Sequence, residues 1–389
     1  MKLLVVFGTR PEAIKLAPII RRARNLGIKL ESCTTGQHLE MLDQVLDLFD
    51  LVPDYRLDVM RPNQRLAPLT GRILTAVSEV LEQSNPDLVL VQGDTITAFA
   101  AGLAAFYAKV AVGHVEAGLR TRNLYSPFPE EAMRQMLGRI TSWHFAPTEQ
   151  NRTSLLTEGV DADSIFVTGN TVIDALFEVR ELIHANLKRE HLDLPADLQR
   201  ELEGTRRMVL ITGHRRENFG DGIDRICTAI STLAERFRDV LFIYPVHLNP
   251  NVAEPVARIL GTKANIRLIS PVNYYTFIYL MERSELIISD SGGVQEEAPS
   301  LRKPVFVTRD TTERTEIVET GAVKLVGSSV DRIVTEVSSA LTDESVVRAM
   351  ANGINPYGDG KSAERILRLI SEEIFPKLGG REHAAIRRG

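Results

Sequence analysis

Short apolar runs, each followed by a stretch of helical period, alternate along almost the whole chain, and few folds accept that pattern. Leu3–Phe7, Lys29–Thr35, Asp87–Gln92 and Val110–Val115 read as strands, and Glu12–Leu26, Leu39–Phe49, Leu66–Gln83 and Thr95–Tyr107 read as helices. The run DLVLVQ at Asp87–Gln92 shows no polar alternation, which suits a strand covered on both faces. Strand–helix–strand repetition of this kind implies parallel sheets joined by right-handed crossovers. The pattern blurs between Phe177 and Arg207 and restarts at Met208–Thr212, continuing through Val240–Pro245, Ile266–Ile269, Leu286–Ser289 and Pro304–Val307 with helical stretches between. A chain of 389 residues is also too long for one core of ordinary size. The expectation is an α/β protein of two doubly wound, Rossmann-like domains facing a central cleft. The first is residues 1–170, completed by a returning C-terminal helix at 362–389; the second is 171–361.

Composition narrows the function classes. Hydrophobic content of 44% and charged content of 25% are those of an ordinary globular protein. A net charge of -5 without a basic block argues against binding a nucleic-acid backbone. The two cysteines, Cys33 and Cys227, have no metal spacing and read as small core residues, so no metal site is expected. The apolar run Leu3–Phe7 is too short for a signal peptide, and no stretch reaches the roughly 20 apolar residues of a membrane span, so a cytoplasmic protein is expected.

In open parallel sheets ligands bind beyond the carboxyl ends of the strands, so the strand-to-helix junctions carry the functional reading. At the first junction, Gly8-Thr9-Arg10-Pro11-Glu12, proline suits the first turn of a helix, and Arg10 and Lys15 lie where backbone N–H groups favour an anion. An ordinary turn with two surface cations is the plainer alternative. Asp94 follows a fully apolar strand and is either functional or the cap of the next helix. Glu116 follows another buried-looking strand, and Glu130 and Glu131 follow Pro129 at a helix start, where acids often serve only the dipole. Three acids at sheet ends nevertheless resemble an acid–base set. In the second half, His214 follows a strand, and the turn Ser291-Gly292-Gly293 opens a helix as a phosphate cradle would, with Glu297 one turn in. No GxGxxG fingerprint or Walker motif occurs at a strand end, which disfavours dinucleotide and ATP chemistry. Half-sites of this kind fit a nucleotide sugar.

The motifs GTRPEAIK at Gly8–Lys15, GDT at Gly93–Thr95, HVEAGLR at His114–Arg120 and SPFPEE at Ser126–Glu131 resemble the bacterial non-hydrolysing UDP-N-acetylglucosamine 2-epimerases. So do TGNTVIDAL at Thr168–Leu176, TGHRREN at Thr212–Asn218, YPVHLNPNV at Tyr244–Val252, SDSGGVQEEAPSLRKPV at Ser289–Val305 and RDTTER at Arg309–Arg314. The resemblance runs in order from Met1 to about Phe375. One departure is Thr315, where the family pattern has proline.

The resemblance implies a GT-B-like fold, a homodimer, and reversible inversion of carbon 2 without a cofactor. The family route is elimination of UDP to a 2-acetamidoglucal and re-addition. On that basis Asp94, Glu116 and Glu130 are the candidate proton-transfer groups. Arg10, Lys15, His214 and the N–H groups of Ser291, Gly292 and Gly293 are expected at the diphosphate, Glu297 at the ribose, and Val272, Phe277 and Arg314 at or near the uracil. Gln37, His38, Met41, Gln44 and Gln64 resemble a site for a second UDP-sugar acting as allosteric activator; an amphipathic helix with a polar face is the alternative. A 2-epimerase of a modified UDP-amino sugar, a GT-B glycosyltransferase and a catalytically silent sugar sensor are the competing readings.

Overall fold

Every side chain of Leu3–Phe7 and of Leu88–Gln92 is buried, and strands so covered need neighbours on both edges and helices on both faces. The computed structural model, which describes residues 1–36, 39–59, 61, 65–204 and 207–379 (side chains of 39–41 excepted), provides them. The chain divides into two compact units, Met1–Glu178 with the chain from Tyr357 on, and Val179–Pro356. Each is a parallel sheet wrapped by helices, the two-unit, Rossmann-like α/β fold of GT-B kind.

The sheet of the first unit comprises β1 (Leu3–Phe7), β2 (Leu30–Thr34), β3 (Tyr55–Arg56), β4 (Leu88–Gln92), β5 (Ala111–Val115), β6 (Trp143–Ala146) and β7 (Ile165–Val167). Their order is β3-β2-β1-β4-β5-β6-β7, so the winding reverses between β1 and β4. Val5 stands opposite Ser32 on one side and Leu90 on the other. Helix Leu66–Ser84 turns Ile73, Val77 and Val80 inward, and helix Ile96–Tyr107 buries a run of alanines; both pack on Leu4, Val6, Val89 and Val91.

The second unit comprises β8 (Met208–Thr212), β9 (Leu241–Pro245), β10 (Ile266–Ile269), β11 (Leu286–Ser289), β12 (Val305–Val307) and β13 (Val323–Leu325), in the order β10-β9-β8-β11-β12-β13. Its winding reverses between β8 and β11. Val209, Ile211, Phe242, Tyr244, Ile288 and Phe306 form the centre of its core with the inner faces of Asp221–Arg236 and Val330–Thr342.

Four short strands, β3, β6, β7 and β13, were not legible as apolar runs. They have two to four residues each, and β6 carries His144 in its middle. The C-terminal run read as one helix is Ser362–Leu369, a π-helical turn at Ile370–Ile374, and Phe375–Gly379. Buried Asp174 accepts the N–H groups of Ser362 (3.0 Å) and Ala363 (2.9 Å) and so caps this segment, and Glu364 lies 3.7 Å from Arg22 of helix Arg10–Asn25. Both cysteines are buried, and burial pushes each thiol up to about 12, as suits core residues. Among the described residues no helix is long and apolar enough to cross a membrane.

Candidate active site

The reversal between β1 and β4 is where ligands bind in an open sheet, and the acids of the first unit gather there. Gly8 is required at the end of β1, because a Cβ would meet the hydroxyls of Thr35 and Thr97 at 2.2 and 2.3 Å. Glu12, fully buried, accepts the N–H groups of Gly8 (3.1 Å) and Thr9 (2.8 Å) and the Thr95 hydroxyl (2.7 Å). It thereby ties the β1 turn to the β4 turn; burial raises its pKa against the pull of these donors. Arg10 is half-buried at the start of helix Arg10–Asn25.

Asp94 is not the helix cap. That task falls to Thr95, whose hydroxyl accepts the N–H of Ala98 at 3.0 Å. The Asp94 carboxylate instead takes a guanidinium N–H from Arg134, which is 5% exposed on helix Glu130–Ile140. Glu116 follows β5 with φ +64°, a left-handed conformation costly for a residue with a side chain. Its Oε2 accepts from Lys15 Nζ, from Gln92 Nε2 (3.0 Å) and from Asn170 Nδ2 (3.1 Å). Lys15 therefore carries its charge to Glu116.

The pair Glu130-Glu131 separates into two roles. Glu131, 0% exposed, accepts the N–H groups of Thr121 and Arg122 (3.0 Å each) and lies 3.3 Å from Arg134, so it shapes the preceding loop. Glu130 opens the helix, and its Oε2 is buried with no hydrogen-bond partner among the described residues. Arg134 was missed by the sequence reading. The signal was available: it stands one helical turn beyond Glu130, on the same face.

The second unit repeats the topology with other chemistry. Asp290, 1% exposed after β11, accepts the N–H groups of His214 (2.9 Å) and Arg215 (2.9 Å) and the Asn218 amide (3.3 Å). His214 is left exposed, stacked on His247 with ring centroids 5.4 Å apart. The buried part of this 44%-exposed side chain lowers its pKa, Asp290 opposes that, and Arg215 and His247 add to it. Gly292 is required because a Cβ would sit 2.5 Å from Arg314 Nη1. Arg314, itself buried, donates to Glu296 (2.6 Å) and to Glu313. Burial opposes ionisation of Glu313, but Arg314 and Arg309 hold its pKa at about 2. The Ser291 N–H is committed to Ser289 Oγ at 3.0 Å. Glu297 accepts the Tyr274 hydroxyl at 2.6 Å, and Val272 and Phe277 lie half-buried beside the start of helix Tyr274–Arg283. Thr315 occupies the first position of helix Thr315–Glu319, where proline is equally suited, so this departure leaves the local fold intact.

A family model described as UDP-N-acetylglucosamine 2-epimerase matches residues 21–371. The chain belongs to this family. It is 56% identical over 373 residues to a probable UDP-N-acetylglucosamine 2-epimerase of Ralstonia solanacearum, covering 95% of this chain and 98% of that one. It is 52% identical over 371 residues to the UDP-N-acetylglucosamine 2-epimerase of Escherichia coli K12, with the same coverage. The crystal structure of the Neisseria meningitidis epimerase bound to UDP-GlcNAc superposes with a TM-score of 0.87 at 47% identity, covering 96% of this chain and 100% of that one. The motif resemblance and the family match agree, and the chain is an isomerase of this epimerase family. Of the residues expected at an allosteric site, Gln37, His38 and Gln64 and the Met41 side chain lie outside the described residues; Gln44 is exposed on helix Leu39–Leu48.

Proposed function

We propose that the protein interconverts UDP-N-acetylglucosamine and UDP-N-acetylmannosamine by inverting carbon 2, in the cytoplasm, with the product feeding cell-envelope polysaccharide synthesis. The observation that carries this reading is the set of Asp94 on Arg134 and Glu116 on Lys15 at the β1/β4 reversal, with Glu130, whose Oε2 is buried without a partner among the described residues, one turn before Arg134 on the same helix. The carbon 2 proton is not adjacent to a carbonyl, so direct enolisation is closed. A carboxylate removes that proton as the bond from carbon 1 to the UDP oxygen breaks, leaving a 2-acetamidoglucal. A carboxyl group then protonates carbon 2 on the opposite face, and UDP re-adds at carbon 1. Inversion needs proton-transfer groups on two faces, and the first unit offers three.

The diphosphate carries the largest developing charge. Arg10, His214 and the N–H groups of the Ser291–Gly293 turn are its partners in this reading, with Gly292 and Gly293 the main amide donors, because the Ser291 amide serves Ser289. Lys15 is read first as the cation that keeps Glu116 in place. Glu297 holds the ribose hydroxyls with Tyr274 as its support, and Phe277, Val272 and Arg314 border the base. Incubation with UDP-N-acetylglucosamine alone tests the assignment. Proton NMR should show the manno epimer without any acceptor, and in deuterated water the product should carry deuterium at carbon 2. An absolute requirement for an acceptor would support a glycosyltransferase instead.

Two further parts of the reading are the homodimer and activation by a second UDP-sugar. Analytical ultracentrifugation should give twice the chain mass. UDP-N-acetylglucosamine should accelerate the reverse reaction and make the forward kinetics sigmoidal; hyperbolic kinetics unaffected by added substrate would remove the second site.

A further inference from the structure

His114 has no role in the mechanism above, yet it meets the residue before Asp94 and stands two residues before Glu116. It is 1% exposed on β5, opposite His144 of β6, and its Nε2 lies 2.7 Å from the carbonyl oxygen of Gly93. A carbonyl only accepts, so Nε2 must carry the hydrogen in this contact. Burial lowers the ring's pKa to about 4, with Arg120 and Arg134 adding to that effect and the Gly93 carbonyl and Glu116 opposing it, so near pH 7 the ring has one hydrogen and the Gly93 contact uses it. Nδ1 is then a bare acceptor, and it is buried with no partner among the described residues. Leaving it so is costly, and a residue placed only to fill the core would avoid that cost.

The Gly93 carbonyl belongs to the peptide that leads into Asp94. Gly93 has φ +72°, a conformation open to glycine, and its own N–H donates to Val115 O at 3.0 Å. Gly93, the residue before Asp94, is thus held from β5 through both its N–H, by the Val115 backbone, and its carbonyl, by the His114 ring. Glu116 is the next residue after Val115.

We propose that His114 is a positioning residue: its Nε2–H fixes the Gly93–Asp94 peptide and so sets the Asp94 carboxylate relative to Glu116. The inference rests on the reading of Asp94 as a proton-transfer group. It separates the hydrogen bond from the volume of the ring, because glutamine places its amide nitrogen at the same number of bonds from Cβ as Nε2. Asparagine places it where Nδ1 stands, and phenylalanine keeps a ring without a donor.

The test compares His114→Gln, His114→Asn and His114→Phe in the full chain by kcat, KM, UDP affinity and deuterium incorporation at carbon 2. His114→Asn and His114→Phe should lose turnover by roughly 100-fold, the scale of a misplacement of about 1 Å. Their KM and UDP affinity should stay near those of the parent, and His114→Gln should recover most of the lost turnover and exchange. Equal turnover in the Gln and Phe variants, whether high or low, would overturn the proposal. Nitrogen NMR of the unsubstituted protein is a second readout, independent of how the variants fold: the Nε2–H tautomer is expected, and the Nδ1–H tautomer would overturn the proposal. Normal turnover in Asp94→Asn would instead remove the premise, a failure that the histidine variants cannot imitate.

Discussion

At the reversal between β1 and β4 the acids meet side-chain cations, Asp94 on Arg134 and Glu116 on Lys15; at the reversal between β8 and β11 Asp290 meets backbone N–H groups. Each unit also has one buried carboxylate that straps two strand ends together, Glu12 in the first and Asp290 in the second. The shared topology therefore explains the straps, and the difference explains the chemistry. An acid held through a mobile side chain can change partner when a substrate arrives, whereas an acid wired to backbone amides is fixed with the fold. The first unit holds Asp94 and Glu116 in the former way, while its Glu12 and Glu131 are wired to backbone amides like Asp290. In the second, Glu296 and Glu313 are committed to Arg314, and an exposed histidine and a glycine turn remain.

If the second unit's acids serve the fold, removing their shared cation should have the largest effect on stability. Arg314→Met leaves Glu296 buried and without its guanidinium, and should cost about 3–5 kcal/mol in urea unfolding. A loss under about 1 kcal/mol would show that this arginine is held for ligand binding alone.

The first unit's acids should show the opposite profile. Asp94→Asn, Glu116→Gln and Glu130→Gln should stay folded and bind UDP, with turnover reduced at least roughly 100-fold. Glu131→Gln is the control one residue away. It weakens an acceptor of two backbone N–H groups and should lose about 1.5–3 kcal/mol of stability. Equal behaviour of the Glu130 and Glu131 variants would break the division between reacting and structural carboxylates.

This division also marks how far the sequence could be read. The strand-to-helix junctions were legible because Leu3–Phe7, Leu88–Val91 and Met208–Ile211 are unbroken apolar runs with glycine and polar residues soon after them; where the strand order reverses was not. The acids were legible as candidates for the same reason, and the long motifs fixed the family. The choice between Glu130 and Glu131 was not legible, since it depends on a loop folding back to place the N–H groups of Thr121 and Arg122 on one of them. The partner of Asp94, 40 residues distant in the chain, was missed, although Arg134 stands one helical turn beyond Glu130. The short strands β3, β6, β7 and β13 escaped because so few residues make no period.

The buried histidines give the first unit an acid sensitivity of its own. Burial lowers His144 to about 3, below its ordinary 6.5. The unfolded chain then binds a proton that the folded chain refuses, so stability falls as pH drops from about 6.5 towards 3. Relative to His144→Gln, the parent should lose on the order of 1–3 kcal/mol between pH 7 and pH 4. Glu313 acts in a lower window. Its depressed pKa contributes stability above about 4.5 that is lost as pH falls towards 2, so Glu313→Gln should differ from the parent mainly above that range. Unfolding midpoints measured across pH for both variants would separate the two windows, and parallel curves for parent and His144→Gln would mean that this histidine is solvated when folded.

The smallest expected effect on stability is at His214. Its ring is exposed, and the contacts that tie its loop to Asp290 run through the N–H groups of His214 and Arg215 and the side chain of Asn218. The imidazole Nδ1 lies 3.8 Å from Asp290, too far for a hydrogen bond. His214→Ala keeps all three of these donors and should change stability by less than about 0.5 kcal/mol. Asp290→Asn turns one acceptor oxygen into a donor among groups that only donate, so it should cost about 1–3 kcal/mol and disturb the whole turn. Turnover should fall in both variants, because the ring is read as a diphosphate partner and the turn carries it. The contrast lies in stability alone, and urea unfolding of the pair reads it directly. Equal stability losses would show that the ring, and not the backbone, holds the loop, and the second unit's histidine would then belong with its structural groups.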